Sequence, residues 1–409
     1  MLLACLEVSP LQNPSLKSIV YMDNSSTTKP APEVVETIVS VLTEDFGNPS
    51  SLHRLGERAE RLVSEARASV AKLMGAQEEE VYFTSGGTEA NNWALFGSVA
   101  PRGPGCHVVS TAVEHPSVMA ALDHLRQNGY RVTVVPVDGE GRVDPEDIVA
   151  AIARDTAVVS VMLVQNEIGT IEPVEEIGRR LRALGGRRPK FHVDAVQGFA
   201  RLDIRVKEWG IDLLSVSAHK IHGPKGVGAL YVRKGFDIPP LIHGGGQERG
   251  FRSGTENVPG IAGFGAACRL WDRDRDQVME RLRVLRASLV DGVREVWPDA
   301  VLHGPEGDDV APHIAHFSFP GFRGESILHA LESRGVYVST GSACSSHKSK
   351  PSPVVLAIGG GEDQALGSIR FSMSRYTTEA DIQTAVAALA DSLKELLPWR
   401  EKASSSRAR

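Results

Sequence analysis

Two hydrophobic patterns alternate along the chain. Short runs of β-branched residues predict strands, and stretches with a period near 3.6 residues predict the helices between them. The predicted strands are 81–85, 106–113, 131–137, 157–164, 191–196, 212–218 and 226–232, and the predicted helices between them are 88–99, 116–127, 145–153 and 174–184. These strands are continuously apolar rather than alternating, which is typical of strands buried on both faces of a mostly parallel sheet.

The alternation of strands and helices predicts the α/β fold class, with a three-layer large domain at residues 32–264. From about residue 266 the pattern changes to a long charged helix. Strands at "HIAHFSFP" and "IRFSM" follow, with helices near 324–334 and 378–397. We therefore predict a smaller α+β domain, formed by residues 1–31 and 265–409.

Composition narrows the classes of function. The chain has 409 residues, of which 42% are hydrophobic and 23% charged, as in ordinary globular proteins. A net charge of -6 argues against nucleic acid or an anionic membrane as the partner. The four cysteines are scattered without a C-x-x-C pair, which fits neither a disulfide framework nor a zinc site. Because the first residues also lack the features of a signal or transit peptide, we expect a cytoplasmic protein.

The stretch "TSGGTE" lies between a predicted strand and a predicted helix. Its glycines let backbone N–H groups approach an anion, and a helix N-terminus favours negative charge. The stretch lacks both the Walker lysine and the G-x-G-x-x-G pattern of dinucleotide sites. A phosphate site and a tight turn capped by Thr88 explain it equally well.

The stretch "FHVDAVQG" places Asp194 at the end of an apolar strand. A buried aspartate needs a cationic partner, and a protonated pyridine nitrogen is one. An aspartate that caps a loop is an equally good interpretation. A metal pair of His192 and Asp194 has no evident third ligand.

The stretch "SVSAHKIHGPKG" is the most informative. Lys220 follows a buried strand, with the hydroxyl of Ser217 and the imidazole of His219 as neighbours. A lysine at the mouth of a parallel sheet with such neighbours fits a Schiff-base site. His219 and His222 as metal ligands are a minor alternative, because the pattern between them is not clearly helical.

Five more stretches carry candidate chemistry. His115 follows a predicted strand, where a lone histidine is more often structural than catalytic, and Asn166 follows another, where ligand crevices form in α/β sheets. Arg370 lies within an apolar strand and therefore needs a buried anion, such as a substrate carboxylate. The glycines of "HGGGQERGFRSGTEN" fit close approach to another chain or to a phosphate. Cys344, in "STGSACSSH", stands among small residues with no helical or strand period, so it is either incidental or required to move.

Together these motifs resemble the cysteine desulfurases, pyridoxal-phosphate enzymes of the class V aminotransferase group within fold type I. The resemblance runs from residue 21 to about residue 397. The motifs, in order, are "TSGGTEANN", "EH", "NEIGT", "HVDAVQ", "SAHKIHGPKG", "GGGQERGFRSGTEN", "STGSACSS" and "SIRFSMSRYTT". The "SGSACSS" form resembles the subgroup named for nitrogen fixation and general iron–sulfur assembly, in which the cysteine lies on a longer mobile loop, here at about 340–350.

The resemblance implies a role for each matching position. Lys220 would form the covalent link to pyridoxal phosphate, and Cys344 would accept the sulfur. The other implied roles are Asp194 at the pyridine nitrogen, Gln197 at the phenolic oxygen, His115 stacked on the ring as a further catalytic group, Gly87, Thr88, Ser217 and His219 at the phosphate, Thr255 reaching in from the other subunit of a homodimer, Asn166 at the cofactor and substrate, and Arg370 at the substrate carboxylate.

The implied reaction takes sulfur from L-cysteine, gives L-alanine and leaves a persulfide on Cys344. The sulfur would pass to a protein acceptor such as a cluster scaffold, for iron–sulfur assembly or transfer-RNA thiolation. No resident metal is expected, although Cys344 would contact an iron–sulfur cluster transiently, and neither nucleic acid nor membrane is a predicted direct partner. The alternatives are a selenocysteine lyase or other class V enzyme and, more distantly, a non-catalytic sulfur-relay scaffold.

Overall fold

The computed structural model describes residues 19–236, 238–341 and 351–400. The strands are β1 (Val20–Tyr21), β2 (Val81–Thr84), β3 (His107–Thr111), β4 (Arg131–Val135), β5 (Thr156–Met162), β6 (Lys190–Asp194), β7 (Leu213–Ser217), β8 (Gly228–Val232), β9 (Val301–His303), β10 (Ile314–Ser318), β11 (Val336–Tyr337) and β12 (Ser368–Ser372). The helices are α1 (Pro32–Thr43), α2 (Arg54–Met74), α3 (Gly87–Val99), α4 (Pro116–Gln127), α5 (Pro145–Ala150), α6 (Val174–Ala183), α7 (Val258–Val296), α8 (Gly324–Glu332), α9 (Pro353–Ala357), α10 (Glu362–Leu366) and α11 (Glu379–Leu396). The strands and helices that the hydrophobic pattern predicts are confirmed, most of them within three residues at each end.

A seven-stranded sheet in the order β2-β8-β7-β6-β5-β3-β4 forms the centre of the molecule. Strands β7, β6, β5, β3 and β4 are parallel, whereas β8 runs antiparallel to both of its neighbours. The chain returns from β7 to β8 through a short connection that contains no α-helix, and short connections of this kind join antiparallel strands. The predicted mostly parallel sheet is confirmed.

Both faces of this sheet are buried, as its uninterrupted apolar strands predict, except at the edge strand β4, where Arg131 and Thr133 are exposed. Val108 and Val158 pack with residues of α3 and α4, whereas their neighbours Val109 and Val159 belong to the core on the opposite face. That core also contains residues of α2, α6 and α7. Side chains alternate between the two faces of a strand, so each strand supplies both cores of a three-layer α/β architecture.

Two smaller sheets involve strands from the second half of the chain. Strands β12, β10 and β9 form an antiparallel sheet, and β1 pairs in parallel with β11. The first described strand therefore joins a segment more than 300 residues away in sequence. Helix α7 begins at Val258, before residue 264, where the large domain is predicted to end. The helix changes direction at Asp274. The division of the chain into two domains stays a prediction.

No helix in the described ranges is long and apolar enough to cross a membrane.

Asp212 fixes the starts of the two strands that lead to the polar end of the sheet. Its fully buried carboxylate accepts hydrogen bonds of 2.7 Å from both terminal nitrogens of Arg188 and one of 2.8 Å from the Phe191 N–H. Arg233 Nε lies 2.7 Å from the same carboxylate. The carboxylate thus links β6 to β7 and β8 at the end of the sheet opposite the predicted site.

We predict that Asp212→Ala destabilises the protein by about 3 kcal/mol, because it leaves a largely buried guanidinium without its partner. Asp155→Ala is the matched control, since Asp155 also binds an arginine through both carboxylate oxygens but is exposed. That control should change stability little. Urea unfolding followed by circular dichroism measures both variants, and equal effects would contradict the assignment.

Candidate active site

The carboxyl ends of β5, β6 and β7 open into a cavity of about 350 Å³. Its lining includes ten of the predicted site residues: Gly87, Thr88, His115, Asn166, Asp194, Gln197, Ser217, His219, Lys220 and Arg370. Thr255 is exposed and does not line this cavity. Cys344 and the rest of its predicted loop, from residue 342 to residue 350, lie outside the described residues. Gly341 is in the lining, three residues before Cys344.

Lys220 ends a short 3₁₀ turn that follows β7. Its Nζ donates hydrogen bonds to the backbone oxygens of Ser25 at 2.6 Å and Ser26 at 2.8 Å. The Lys220 carbonyl accepts a hydrogen bond of 2.6 Å from the buried guanidinium of Arg201. Burial lowers the pKa of Arg201 to about 10. Both the amine and the backbone of this lysine are therefore fixed in position within the cavity.

Asp194, the last residue of β6, is 4% exposed. Its Oδ2 accepts a hydrogen bond of 2.6 Å from Asn91 Nδ2, and its Oδ1 accepts one of 3.0 Å from the Val196 N–H. Asn91 Nδ2 also donates to Ser117 Oγ at 2.9 Å, and Ser117 Oγ lies 2.8 Å from His115 Nδ1. A continuous hydrogen-bond chain thus connects the carboxylate of Asp194 to the imidazole of His115.

Two histidines in the cavity have lowered pKa values. Burial is the main cause for His115; nearby Lys220 also lowers this pKa, whereas Asp194 raises it. Burial, followed by Lys220 and Lys225, lowers the pKa of His219 to about 4. Both imidazoles are therefore neutral near pH 7, and a neutral ring suits stacking on a flat aromatic ligand.

The N-terminus of α3 forms another wall of the cavity. Its N-cap, Gly86, offers no side-chain hydrogen bond to the first turn. A methyl group on Gly87 would lie 2.6 Å from Val196 Cγ2, so only glycine allows this close approach. The uncapped N–H groups of a 13-residue helix, beside Thr88 and Ser217, suit an anion such as a phosphate.

Arg370 has an intramolecular anion in this structure. Its Nη2 donates to Asp23 Oδ1 at 2.9 Å and to Ser26 Oγ at 2.7 Å, and its Nη1 donates to the Asn166 carbonyl at 2.8 Å. Its Nε has no hydrogen-bond partner in the part of the chain that the structure describes. The buried anion that the sequence requires is thus supplied in part by Asp23, which sequence analysis did not identify.

Sequence analysis also gave no role to several residues that support the site. They are Ser25 and Ser26 at Lys220, Asn91 at Asp194, Ser117 at His115 and Arg201 at the Lys220 backbone. Asn91 belongs to the motif "TSGGTEANN", whereas Ser25, Ser26, Ser117 and Arg201 lie outside the motifs quoted above. Only the folded chain shows which atoms these residues contact.

His192 and His222, the histidines considered above as possible metal ligands, form hydrogen bonds with other protein groups. The two ring nitrogens of His192 lie 2.8 Å from Ser160 Oγ and 3.0 Å from Ser215 Oγ. His222 Nδ1 lies 2.8 Å from the Lys29 carbonyl. Within the described ranges, no group of three or more histidine, cysteine, aspartate or glutamate residues could hold a metal ion.

A lysine and a buried aspartate, beside an uncapped helix N-terminus on a mostly parallel sheet, define the class of fold type I pyridoxal-phosphate enzymes. The family model for Aminotransferase class-V matches residues 20–384. The chain therefore belongs to the class V aminotransferase family, whose members depend on pyridoxal phosphate.

Known proteins similar to this chain include a curated enzyme from Clostridium botulinum named cysteine desulfurase IscS. It is 45% identical over 380 residues, which cover 92% of this chain and 94% of the relative. A solved NifS-like protein is 36% identical with a TM-score of 0.86, over 92% of this chain and all of the other. The structure of SspA in complex with cysteine is 31% identical with a TM-score of 0.75, over 88% of this chain and 99% of the other.

The residues of the cavity fit pyridoxal phosphate. The α3 N-terminus suits its phosphate, the Asp194 carboxylate suits its protonated ring nitrogen, and the Lys220 amine suits its aldehyde. Asn91 Oδ1, buried in the same lining, has no hydrogen-bond partner among the described residues. The cavity thus offers a complementary group to each polar end of the cofactor.

We predict that His192, directly behind the site, makes stability depend on pH. Burial lowers its pKa to about 3 in the folded protein, whereas an unfolded histidine titrates near about 6.5. Below about pH 6.5 the unfolded chain binds a proton that the folded chain does not, so the free energy of unfolding falls by up to about 1.4 kcal/mol per pH unit.

Urea midpoints measured between about pH 7 and about pH 4 test this dependence. His192→Gln should give a shallower decrease with falling pH than the original protein. His329→Gln, at an exposed histidine, is the control and should leave the slope unchanged. An identical slope for His192→Gln would refute the prediction.

Proposed function

We propose that this chain is a pyridoxal-phosphate-dependent cysteine desulfurase, which converts L-cysteine to L-alanine and retains the sulfur as a persulfide on Cys344. The observation that carries the proposal is the convergence of Lys220 and Asp194 in one cavity whose lining reaches Gly341. Cys344 lies three residues further along the chain, within about 10 Å of Gly341 if the intervening backbone is extended. The similarity to enzymes named cysteine desulfurase supports the same reaction.

Different residues of the chain would bind different parts of the cofactor. Lys220 Nζ would form the covalent link, and Asp194 would hold the proton on the ring nitrogen. Gln197, whose Nε2 donates to the Ser25 carbonyl at 2.9 Å, would contact the phenolic oxygen. His115 would stack on the ring, and Gly87, Thr88, Ser217 and His219, which all line the cavity, would hold the phosphate.

Asn166 and Arg370 orient the substrate. The Arg370 side chain is nearly fully buried and reaches the cavity between Asp23 and the Asn166 carbonyl. A substrate carboxylate would pair with this guanidinium and share it with Asp23. A planar guanidinium binds a carboxylate through two parallel hydrogen bonds, which fixes the direction of the substrate.

When bound, pyridoxal phosphate withdraws electrons from the carbon atoms of the attached amino acid. Lys220 Nζ, once displaced by the substrate amine, would take the Cα proton and later return it to Cα, and Cys344 Sγ would attack the substrate sulfur as a thiolate. The carbon–sulfur bond breaks as the sulfur–sulfur bond forms, and its electron pair stays with Cβ, which takes up a proton and becomes the methyl group of alanine. Thiol and cysteine thus become persulfide and alanine, and no external oxidant or reductant is consumed.

The working unit that we propose is a homodimer in which Thr255 completes the partner's phosphate site. Helix α1 and the residues after it present Val35, Val39, Leu42 and Phe46 to solvent. An apolar stripe of this kind is typical of an interface. The glycine-rich segment with Thr255 is fixed at its base, because Glu248 binds Arg67 through two hydrogen bonds of 2.7 and 2.8 Å.

The sulfur would pass from Cys344 to an acceptor protein for iron–sulfur assembly or transfer-RNA thiolation. A cytoplasmic site of action is compatible with the two buried cysteines, Cys106 and Cys268, which are both free thiols. Selenocysteine lyase is the second candidate, because the same lysine and carboxylate would serve it. An aminotransferase is disfavoured, since it has no need of Cys344.

We predict that Cys344→Ala binds the cofactor normally and loses about a thousandfold in alanine formation from L-cysteine, because the sulfur-accepting nucleophile is gone. Absorbance of the bound cofactor and single-turnover alanine assays measure the two properties separately. Cys106→Ala, at a buried cysteine, is the matched control and should retain activity. Normal turnover by Cys344→Ala with L-cysteine would exclude the persulfide reaction. Normal turnover by this variant with selenocysteine alone would instead favour the lyase.

The dimer predicts complementation between two impaired variants. Lys220→Ala lacks the amine, and Thr255→Ala weakens cofactor binding in the partner's site. If each site combines Lys220 of one subunit with Thr255 of the other, a mixed dimer contains one intact site. Co-expression should restore about a quarter of the normal activity, because half of randomly paired dimers are mixed and each has one intact site. Activity equal to the mean of the separately expressed variants would show that Thr255 does not act across subunits.

A further inference from the structure

The guanidinium of Arg370 is hydrogen-bonded to an acidic side chain of its own chain. Its Nη2 donates to Asp23 Oδ1 at 2.9 Å and to Ser26 Oγ at 2.7 Å, and its Nη1 donates to the Asn166 carbonyl at 2.8 Å. The Arg370 side chain is 3% exposed, and that of Asp23 is 21% exposed. A guanidinium buried this deeply needs an anion beside it, and Asp23 supplies that anion.

The shape of a guanidinium limits how a second carboxylate can bind to it. A carboxylate that forms two parallel hydrogen bonds uses either Nε and Nη2 or Nη1 and Nη2. Both pairs include Nη2, which carries two hydrogens. One of these hydrogens is directed to Asp23 and the other to Ser26. A substrate carboxylate that binds in this way must therefore take one of them.

The lining of the cavity indicates which partner gives way. Ser26 lines the cavity together with Arg370, whereas Asp23 does not. The Ser26 hydroxyl also has a second contact, because it donates its own hydrogen to Asp23 Oδ1 at 2.7 Å. Arg370 Nε is buried and has no hydrogen-bond partner in the described ranges. Nε and Nη2 are thus the pair that suits a substrate carboxylate, while Asp23 keeps the other Nη2 hydrogen.

The backbone around Asp23 holds its carboxylate close to the guanidinium. Asp23 forms a parallel β-bridge with Ser372. The Tyr21 hydroxyl donates to the carbonyls of Asp23 at 3.2 Å and of Thr27 at 2.9 Å. Asn24 Nδ2 donates to the Ser372 carbonyl at 2.9 Å. Asp23 therefore stays beside the carboxylate-binding group when a substrate enters the cavity.

We propose that Asp23 is a positioning residue whose negative charge limits the affinity of Arg370 for the substrate carboxylate. The inference rests on the proposed function, in which Arg370 binds that carboxylate. When L-cysteine binds, two carboxylates share one guanidinium, and the repulsion between them opposes binding. The same charge keeps the buried guanidinium paired before the substrate arrives. Because L-alanine carries the same carboxylate, Asp23 also favours release of the product.

Asp23→Asn separates the charge of this residue from its shape. Both hydrogen bonds are accepted by Oδ1, and the amide oxygen of an asparagine can accept the same two. We expect the full-length holoenzyme of this variant to bind L-alanine about fivefold more tightly than the original protein, as measured by titration of the absorbance of the bound cofactor. Binding of L-alaninamide, which lacks the charged carboxylate, should change by less than about twofold.

Two further measurements distinguish this effect from a general structural one. The KM for L-cysteine should fall by the same factor in Asp23→Asn with no gain in kcat, because the repulsion acts on the bound substrate and on the transition state alike. The urea midpoint without amino acid should be lower, because the buried guanidinium loses its counter-charge.

The matched control is Asp155→Asn. Asp155 also binds an arginine, Arg131, through both carboxylate oxygens, but it is exposed and precedes β5 at the end of the sheet opposite the cavity. This variant should leave the affinity for L-alanine unchanged. Ser26→Ala removes only a neutral acceptor from Nη2 and should therefore change that affinity less than Asp23→Asn does.

Unchanged or weaker binding of L-alanine by a folded Asp23→Asn variant would overturn the inference, as would equal tightening for L-alaninamide. Arg370→Gln tests the premise, since it should weaken binding of L-alanine more than that of L-alaninamide. If it does not, Arg370 does not bind the carboxylate, and the inference is wrong as well. The titrations require no sulfur transfer, so they decide the role of Asp23 even if Cys344→Ala excludes the persulfide reaction.

Discussion

The carboxylate of Asp194 is the group on which the arrangement of the site depends. A carboxylate with 4% exposure must be hydrogen-bonded and must meet positive charge. Its hydrogen bonds come from Asn91 on α3 and from the backbone at Val196. Those two contacts fix helix α3 relative to β6. Asn91 also donates to Ser117, whose hydroxyl orients His115. The buried carboxylate of Asp194 thus positions three separate segments of the chain around a cavity that suits a flat, positively charged ring.

The site is completed by segments from both ends of the described chain. Ser25 and Ser26 hold the Lys220 amine, and Arg370 joins Asp23 to the Asn166 backbone. Pairing of β1 with β11 and the backbone contacts of Ser372 with Met22 and Asn24 bring the early segment there.

Much of the fold was predictable because its strands carry a local signal. Apolar runs predicted β2 to β8 and, except at the edge strand β4, the burial of both faces. Helices α1 and α2 were not predicted: α1 exposes much of its apolar surface and α2 packs on α7, so their burial is decided by partners distant in sequence. Likewise Lys220, Asp194 and Arg370 stood out as polar residues at apolar strands, whereas Asp23 and Asn91 lie in motifs without such contrast. Only tertiary contacts give those two residues their roles.

In the proposed reaction, sulfur leaves L-cysteine and becomes attached to Cys344. This transfer can be followed by brief incubation of the holoenzyme with sulfur-labelled L-cysteine, trapping of persulfides by alkylation, and mass spectrometry of the peptides that contain each cysteine. We expect labelled sulfur on Cys344 in an amount equal to the alanine formed, and none on Cys106 or Cys268. Equal alanine formation with unlabelled Cys344, or with the label released only as free sulfide, would rule the transfer out.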